Sequence, residues 1–149
     1  MLSPKTYALT LLTLLVLSPS TFANNDDTLA IIQEHLDFTE YAGGSISTEQ
    51  LASIDNSNIM FIDTRNQGQF NEGHIPGAIN IEWRSILNHR EKIPTDQPVV
   101  LYCETGLLSS KAQFILQLAG FENIKVLWGG YMVWTARQSF EDAKKVPAK

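Results

Sequence analysis

The sequence predicts an α/β fold, with a parallel sheet covered by helices on both faces. Two observations carry this expectation. The runs at 59–62, 99–102 and 124–128 are short and almost wholly apolar, as expected of strands buried on both sides. Between them lie segments with helix caps or helical apolar spacing, and such alternation builds a parallel sheet.

The elements follow in order. Asn24 to Asp27 is a polar, acidic start suited to a helix N-terminus. Leu29, Ile32 and Leu36 then recur at helical spacing, and Gly43-Gly44 ends the segment. Residues 24–45 are therefore expected to form a helical extension packed on the main domain. Ser47 with Gln50 three residues later is a capping-box pattern that opens a second short helix. Ile59-Met60-Phe61-Ile62 is a strand, and Asp63-Thr64-Arg65 follows at the carboxyl edge, where open α/β sheets place functional groups. A helix over 67–72 stops at Gly73, and His74-Ile75-Pro76-Gly77-Ala78 is a turn preset by proline and glycine. A short strand at 78–81 leads into a helix beginning at 82–87. Pro98 introduces the strand 99–102, and Ser109 is expected to cap the next helix. Ala112, Ile115, Leu116 and Ala119 form one apolar face of that helix, and Gly120 ends it. A strand at 124–128, a Gly129-Gly130 turn and a helix at 131–138 complete the domain of 46–138, leaving 139–149 as a frayed tail.

The first residues carry an address. Lys5, an apolar stretch from Tyr7 to Leu17 and the small-residue pattern Thr21-Phe22-Ala23 read as a secretory signal peptide over 1–23. A membrane-spanning helix needs about 20 apolar residues, more than this stretch holds. The expected product is an exported protein without stable membrane association, periplasmic if the source is bacterial. It would hold 126 of the 149 residues, one ordinary domain with a core that needs no metal or disulfide. Lys5 leaves with the leader, so ten Lys and Arg face sixteen acids, a formal charge of −6. An acidic domain with dispersed charges and no basic run excludes nucleic acid as the expected partner. His35, His74 and His89 lack metal-ligand spacing, so no metal site is expected.

Cys103 is the sole cysteine and cannot form an internal disulfide. Exported domains often use cysteines in pairs, and an unpaired one is either a small buried hydrophobe or a reactive thiol. Its place after a strand, before a glycine loop and a helix, sets the sulfur facing backbone N–H groups and a helix N-terminus. Both favour the thiolate.

Three ordered motifs resemble the rhodanese-like domain family. They are Asp63-Thr64-Arg65 with Phe70-Asn71-Glu72-Gly73-His74-Ile75-Pro76-Gly77-Ala78-Ile79-Asn80, then Tyr102-Cys103-x-x-Gly106, then Val126-Leu127-x-Gly129-Gly130-x-x-x-Trp134. The resemblance runs from about Ile46 to Trp134 and is similar to the small exported thiosulfate sulfurtransferases. It implies a three-layer fold with a central parallel five-stranded sheet, and a catalytic loop that carries sulfur as a Cys103 persulfide. The implied partners are a small sulfane-sulfur donor such as thiosulfate and a thiol, cyanide or protein-thiol acceptor. No cofactor is implied, and a monomer is the default.

Sulfane transfer needs an anionic sulfur twice, as thiolate and as persulfide. The loop amides of Glu104, Thr105, Gly106, Leu107, Leu108 and Ser109 can form a nest for it, each hydrogen bond contributing about 1.5–3 kcal/mol. This loop lacks the basic side chains common in the family. A Glu104 carboxylate about 6 Å from the sulfur would oppose the thiolate by roughly 0.7 kcal/mol in water and ~3 kcal/mol at an intermediate dielectric. Nucleophilicity therefore survives, but recruitment of a doubly charged donor is weakened, and Leu107 and Leu108 favour an apolar donor or a protein acceptor. Lys111 compensates only if it curls toward the loop rather than into solvent. Asp63 and Arg65 are expected to support the loop around His74, and His74 to be structural rather than a Cys103 base. Trp83, Trp128 and Trp134 are expected in the core.

Two other readings stand beside the sulfurtransferase. One is a non-catalytic rhodanese-like binding or sulfur-sensing module, consistent with the loop's missing cations. The other is a related phosphatase or arsenate reductase, which needs an arginine six positions after the cysteine, where this chain has Ser109.

Overall fold

The computed structural model describes residues 25–39 and 44–144. The expected leader at 1–23 and the last five residues of the expected tail lie outside them. The elements are helix α1 (Asn25–Phe38), strand β1 (Ser45–Ile46), α2 (Thr48–Ser53), β2 (Met60–Asp63), α3 (Gln67–Glu72), β3 (Ile79–Asn80), two 3-10 segments (Trp83–Ser85 and Leu87–Lys92), β4 (Val99–Tyr102), α4 (Leu107–Leu118), β5 (Ile124–Leu127) and α5 (Gly130–Lys144). The five strands form one parallel sheet in the order β1-β5-β4-β2-β3.

Side-chain alternation along the strands divides the core into two layers. Ile62, Val99, Leu101 and Ile124 point to one face, where Ala112 and Leu116 of α4 cover them together with Ile81, Ile86 and Ile93. Val100, Tyr102 and Leu127 point to the other, against Ile46, Leu51, Ile75 and Ala78, with Tyr131 and Trp134 of α5 packed alongside. All four β4 residues are buried, which is why that strand reads as an unbroken apolar run. Each such Val or Leu contributes about 1.5–3 kcal/mol on leaving water.

The Ser47 capping box closes with both hydrogen bonds: the Gln50 N–H donates to Ser47 Oγ at 3.2 Å and the Ser47 N–H to Gln50 Oε1 at 2.8 Å. Several expectations shift. The helix expected from 82 is two tight 3-10 segments, the second interrupted at His89 by non-helical backbone (φ −117°, ψ 20°), with Ile86 and Ile93 in the core. α4 begins at Leu107 with Gly106 as its N-cap, so Ser109 lies inside the first turn instead of capping it. α5 runs on to Lys144 and takes up the start of the expected tail. Short β1 shows no periodicity of its own and is defined only by its pairing with β5. α1 touches α4 through His35 and Phe114, with ring centroids 5.5 Å apart. Its Leu29, Ile31, Leu36 and Phe38 stay exposed, so it packs less than its spacing suggests.

Parallel register does the positioning. Asp63 lies directly opposite Tyr102, so β2 and β4 deliver Asp63-Thr64-Arg65 and Cys103 to the same edge of the sheet.

Candidate active site

β4 ends at Tyr102 and the chain turns at once into the Cys103 loop. Cys103 is 1% exposed. Its sulfur accepts the N–H of Gly106 at 3.2 Å and of Leu108 at 3.3 Å, and the Ser109 hydroxyl lies 3.7 Å away. Of the six loop amides expected to form a nest, these two reach the sulfur; those of Glu104, Thr105, Leu107 and Ser109 make no hydrogen bond to it. Gly106 makes the reversal possible, with φ of +100° where a side chain is strained. The twelve-residue α4 then starts under the sulfur and adds its positive end to the donor pair. The Ser109 hydroxyl also lies 2.9 Å from Gly106 O. Its single proton therefore serves either that carbonyl or an anionic sulfur.

A second helix clamps the same loop from behind. The Tyr131 N–H donates to Cys103 O at 2.8 Å and the Met132 N–H to Glu104 O at 3.1 Å. This approach requires Gly130: a Cβ there would meet Cys103 O and lie 2.6 Å from Glu104 O.

Arg65 knits the edge together. It is 4% exposed, and it donates from Nη2 to Asp63 Oδ2 at 2.7 Å, from Nε to both Asp63 oxygens, from Nη2 to Gly73 O at 2.6 Å, and from Nη1 to Glu104 Oε2 at 3.0 Å. Its guanidinium also stacks over the Tyr131 ring at 4.2 Å. Burial alone would lower the Arg65 pKa, but the hydrogen bonds and charge of Asp63, then of Glu104, raise it above its usual value. The Glu104 carboxylate expected to oppose the thiolate is thus turned onto a cation. Arg65 reaches the segment around His74 through Gly73 O and the Cys103 loop through Glu104, while Asp63 holds the Arg65 guanidinium in place.

His74 does not approach the sulfur as a base. Its Nδ1 is 2.9 Å from Phe70 O, and its ring stacks on Phe70 at 3.9 Å. Lys111 is exposed, as expected of a solvated lysine, and its ammonium lies 5.3 Å from the Trp83 ring centroid, with the Arg84 guanidinium 4.8 Å from the same centroid. Trp83 and Trp134 are half-buried beside the core. Trp128, expected in the core, is 70% exposed. With Leu107 it lines an apolar depression of about 530 Å³ beside the loop, one residue past the end of β5.

Three site residues went unrecognised in the sequence. Asn80 Nδ2 bonds the carbonyls of Asp63 and Arg65, each at 2.9 Å. Tyr131 carries the Arg65 stack, and Gly130 admits the clamp. Asn80 and Gly130 stand inside the family-like motifs with no role assigned, the double glycine pointed to a turn, and Tyr131 gave no signal.

A buried thiol in a tight loop between β4 and the N-terminus of α4, on a five-stranded parallel sheet, defines a cysteine-centred α/β domain. The chain matches the family of the Rhodanese-like domain over residues 47–137 and belongs to it. It is similar to the thiosulfate sulfurtransferase GlpE of Coxiella burnetii, 31% identical over 87 residues that span 58% of this chain and 81% of the relative. To GlpE of Shewanella oneidensis it is 30% identical over 90 residues, or 60% of this chain and 89% of that one. Among solved structures, a rhodanese-related protein from Thermoplasma volcanium superposes with a TM-score of 0.58 at 23% identity, covering 63% of this chain and 92% of the other.

Proposed function

We propose that this protein is a sulfurtransferase in which Cys103 carries sulfane sulfur from a small donor such as thiosulfate to a thiophilic acceptor. The observation that carries the reading is the sole thiol, buried over the start of α4 with two N–H donors at 3.2 and 3.3 Å. The sulfurtransferase names of its relatives support it.

The Cys103 thiolate attacks the outer sulfur of thiosulfate. A new S–S bond forms, the donor's S–S bond breaks, and sulfite leaves with the electron pair. The persulfide keeps the negative charge, and the Gly106 and Leu108 amides, with Ser109 Oγ, stay aimed at it. An acceptor thiolate or cyanide then attacks the outer sulfur and Cys103 departs as thiolate; a thiol acceptor's proton goes to solvent. The two helix N-termini keep the loop in one shape through both steps, so little reorganisation accompanies reaction.

The test is mass spectrometry of the purified protein after exposure to thiosulfate and other sulfane donors. One added sulfur atom on Cys103 is expected, and none on a folded Cys103→Ser variant. A wild-type protein that never gains sulfur from any donor would sink the proposal.

One observation favours a second reading, a non-catalytic binding or sulfur-sensing module: the exposed loop residues Glu104, Thr105 and Leu107 include no cation to meet an incoming anion. An unreactive Cys103, together with a partner retained by Cys103→Ser, would favour it. Export is part of the proposal on the strength of the 1–23 leader pattern, with the periplasm as destination in a bacterium. Amino-terminal sequencing of the secreted form should begin at Asn24.

A further inference from the structure

Arg65 is committed to Asp63, Glu104 and Gly73 O, and the loop between Cys103 and Ser109 holds no cation. Yet thiosulfate is a dianion, and many acceptor thiols carry carboxylates. Two cations from other elements meet at one indole ring at the same end of the sheet. Lys111 lies one helical turn beyond Leu108, whose N–H holds the sulfur, and places its ammonium 5.3 Å from the Trp83 ring centroid. Arg84 brings its guanidinium to 4.8 Å from the same centroid. Trp83 is tied to the frame of the site: its N–H donates to Thr64 O at 3.1 Å, and the Thr64 N–H donates to Tyr102 O at 2.7 Å, next to Cys103.

Arg84 shares its charge with Glu82 at 2.8 Å. Lys111 makes no ion pair among the described residues, so the cluster holds one surplus positive charge. Both cations lie against the Trp83 indole, and the exposed Lys111 ammonium keeps N–H groups free to donate.

We propose that Lys111 and Arg84, gathered on Trp83 at the same end of the sheet as the catalytic loop, receive the oxyanionic end of the small sulfur substrate: the sulfonate of a thiosulfate-type donor or the carboxylate of an acceptor thiol. This rests on the persulfide reading. The leaving sulfite gains charge as the donor's S–S bond breaks, so cations placed there favour the transition state over bound donor.

Lys111→Gln, Arg84→Gln and the double variant test it, with Lys144→Gln on α5 as a control for net charge. Sulfur uptake from thiosulfate should fall about tenfold in the double variant, and Lys111→Arg should retain most of it. Discharge of preloaded persulfide should fall for mercaptosuccinate and much less for neutral 2-mercaptoethanol. A fall confined to uptake or to discharge assigns the subsite to donor or acceptor. Titration with sulfite should shift the Trp83 indole N–H resonance, assigned with Trp83→Phe, and the double variant should lose that shift. The proposal is overturned if the double variant keeps wild-type uptake and acceptor ratio, if Lys144→Gln is as impaired, or if sulfite leaves the Trp83 resonance unmoved. A wild-type protein that never gains sulfur defeats the sulfurtransferase reading, and the sulfite titration still decides the subsite.

Discussion

Arg65 Nη1 lies 3.0 Å from Glu104 Oε2, joining the residue after Cys103 to a buried cation 39 positions earlier in the chain. The pair gives the acidic loop residue a physical role. Glu104 is half exposed while Arg65 is buried, so the contact by itself contributes little stability, about 0–1 kcal/mol. Its effect is directional: the carboxylate is turned onto Arg65, and the loop is anchored to the network beneath it.

Replacing Glu104 by Gln removes a negative charge next to the reacting sulfur and leaves Arg65 on Asp63. Uptake of sulfur from thiosulfate should rise about two- to tenfold at low ionic strength, with the gain shrinking as salt screens it. Initial rates over a salt series measure this. A lower rate at every salt concentration would show that anchoring the loop outweighs the charge.

Arg65→Met should be far more damaging. Asp63 is fully buried and receives three side-chain hydrogen bonds from Arg65, so its carboxylate would be left without its cation. A loss of about 3–5 kcal/mol is expected, readable as a lower urea midpoint. Asp63→Asn in the same background should recover part of it, since the orphaned charge is then gone.

Gly130→Ala tests the rear clamp. The new Cβ meets the backbone carbonyls of Cys103 and Glu104 at a φ of +63°, and backbone cannot move aside cheaply. Sulfur uptake should drop more than about tenfold. The positive φ should cost about 1–2 kcal/mol of stability besides. Wild-type uptake in this variant would mean the clamp does not shape the loop.

Tyr102 sets an alkaline limit. Its hydroxyl accepts the Ile75 N–H at 3.0 Å. Burial raises its pKa well above the usual tyrosine value, an effect the Ile75 N–H opposes and the Asp63 charge reinforces. The folded state therefore holds this proton more tightly than the unfolded chain. The linked stability is fully present below about pH 10, the ordinary tyrosine pKa, and is lost as pH rises above it. The loss should be at most about 1.4 kcal/mol per pH unit. Tyr102→Phe should flatten that slope between about pH 10 and 12 in urea titrations, while lowering stability at neutral pH by about 1–3 kcal/mol through the unpaired Ile75 N–H. Parallel slopes for the two proteins would refute the assignment.

The sequence by itself determined the alternation of elements, the strand that ends at Cys103 and the glycine turn after it. These are written in local pattern: continuous apolar runs, the Ser47 and Gln50 box, and a lone thiol before Gly106. Local pattern also placed Asp63 and Arg65 at a strand end. It could not place Asn80, Tyr131 or Gly130, because their roles depend on strands and helices distant in the chain coming together. Parallel pairing of β2 with β4 sets Asp63 opposite Tyr102, and the start of α5 then lies against the loop. Charge was the least legible feature. Glu104 read as an obstacle, and Lys111 as a solvated lysine, which its exposure bears out; one-dimensional spacing said nothing of Arg65 beneath one or Trp83 beside the other. Tertiary structure decided both, because electrostatic interactions depend on distance through space and on the dielectric between the groups.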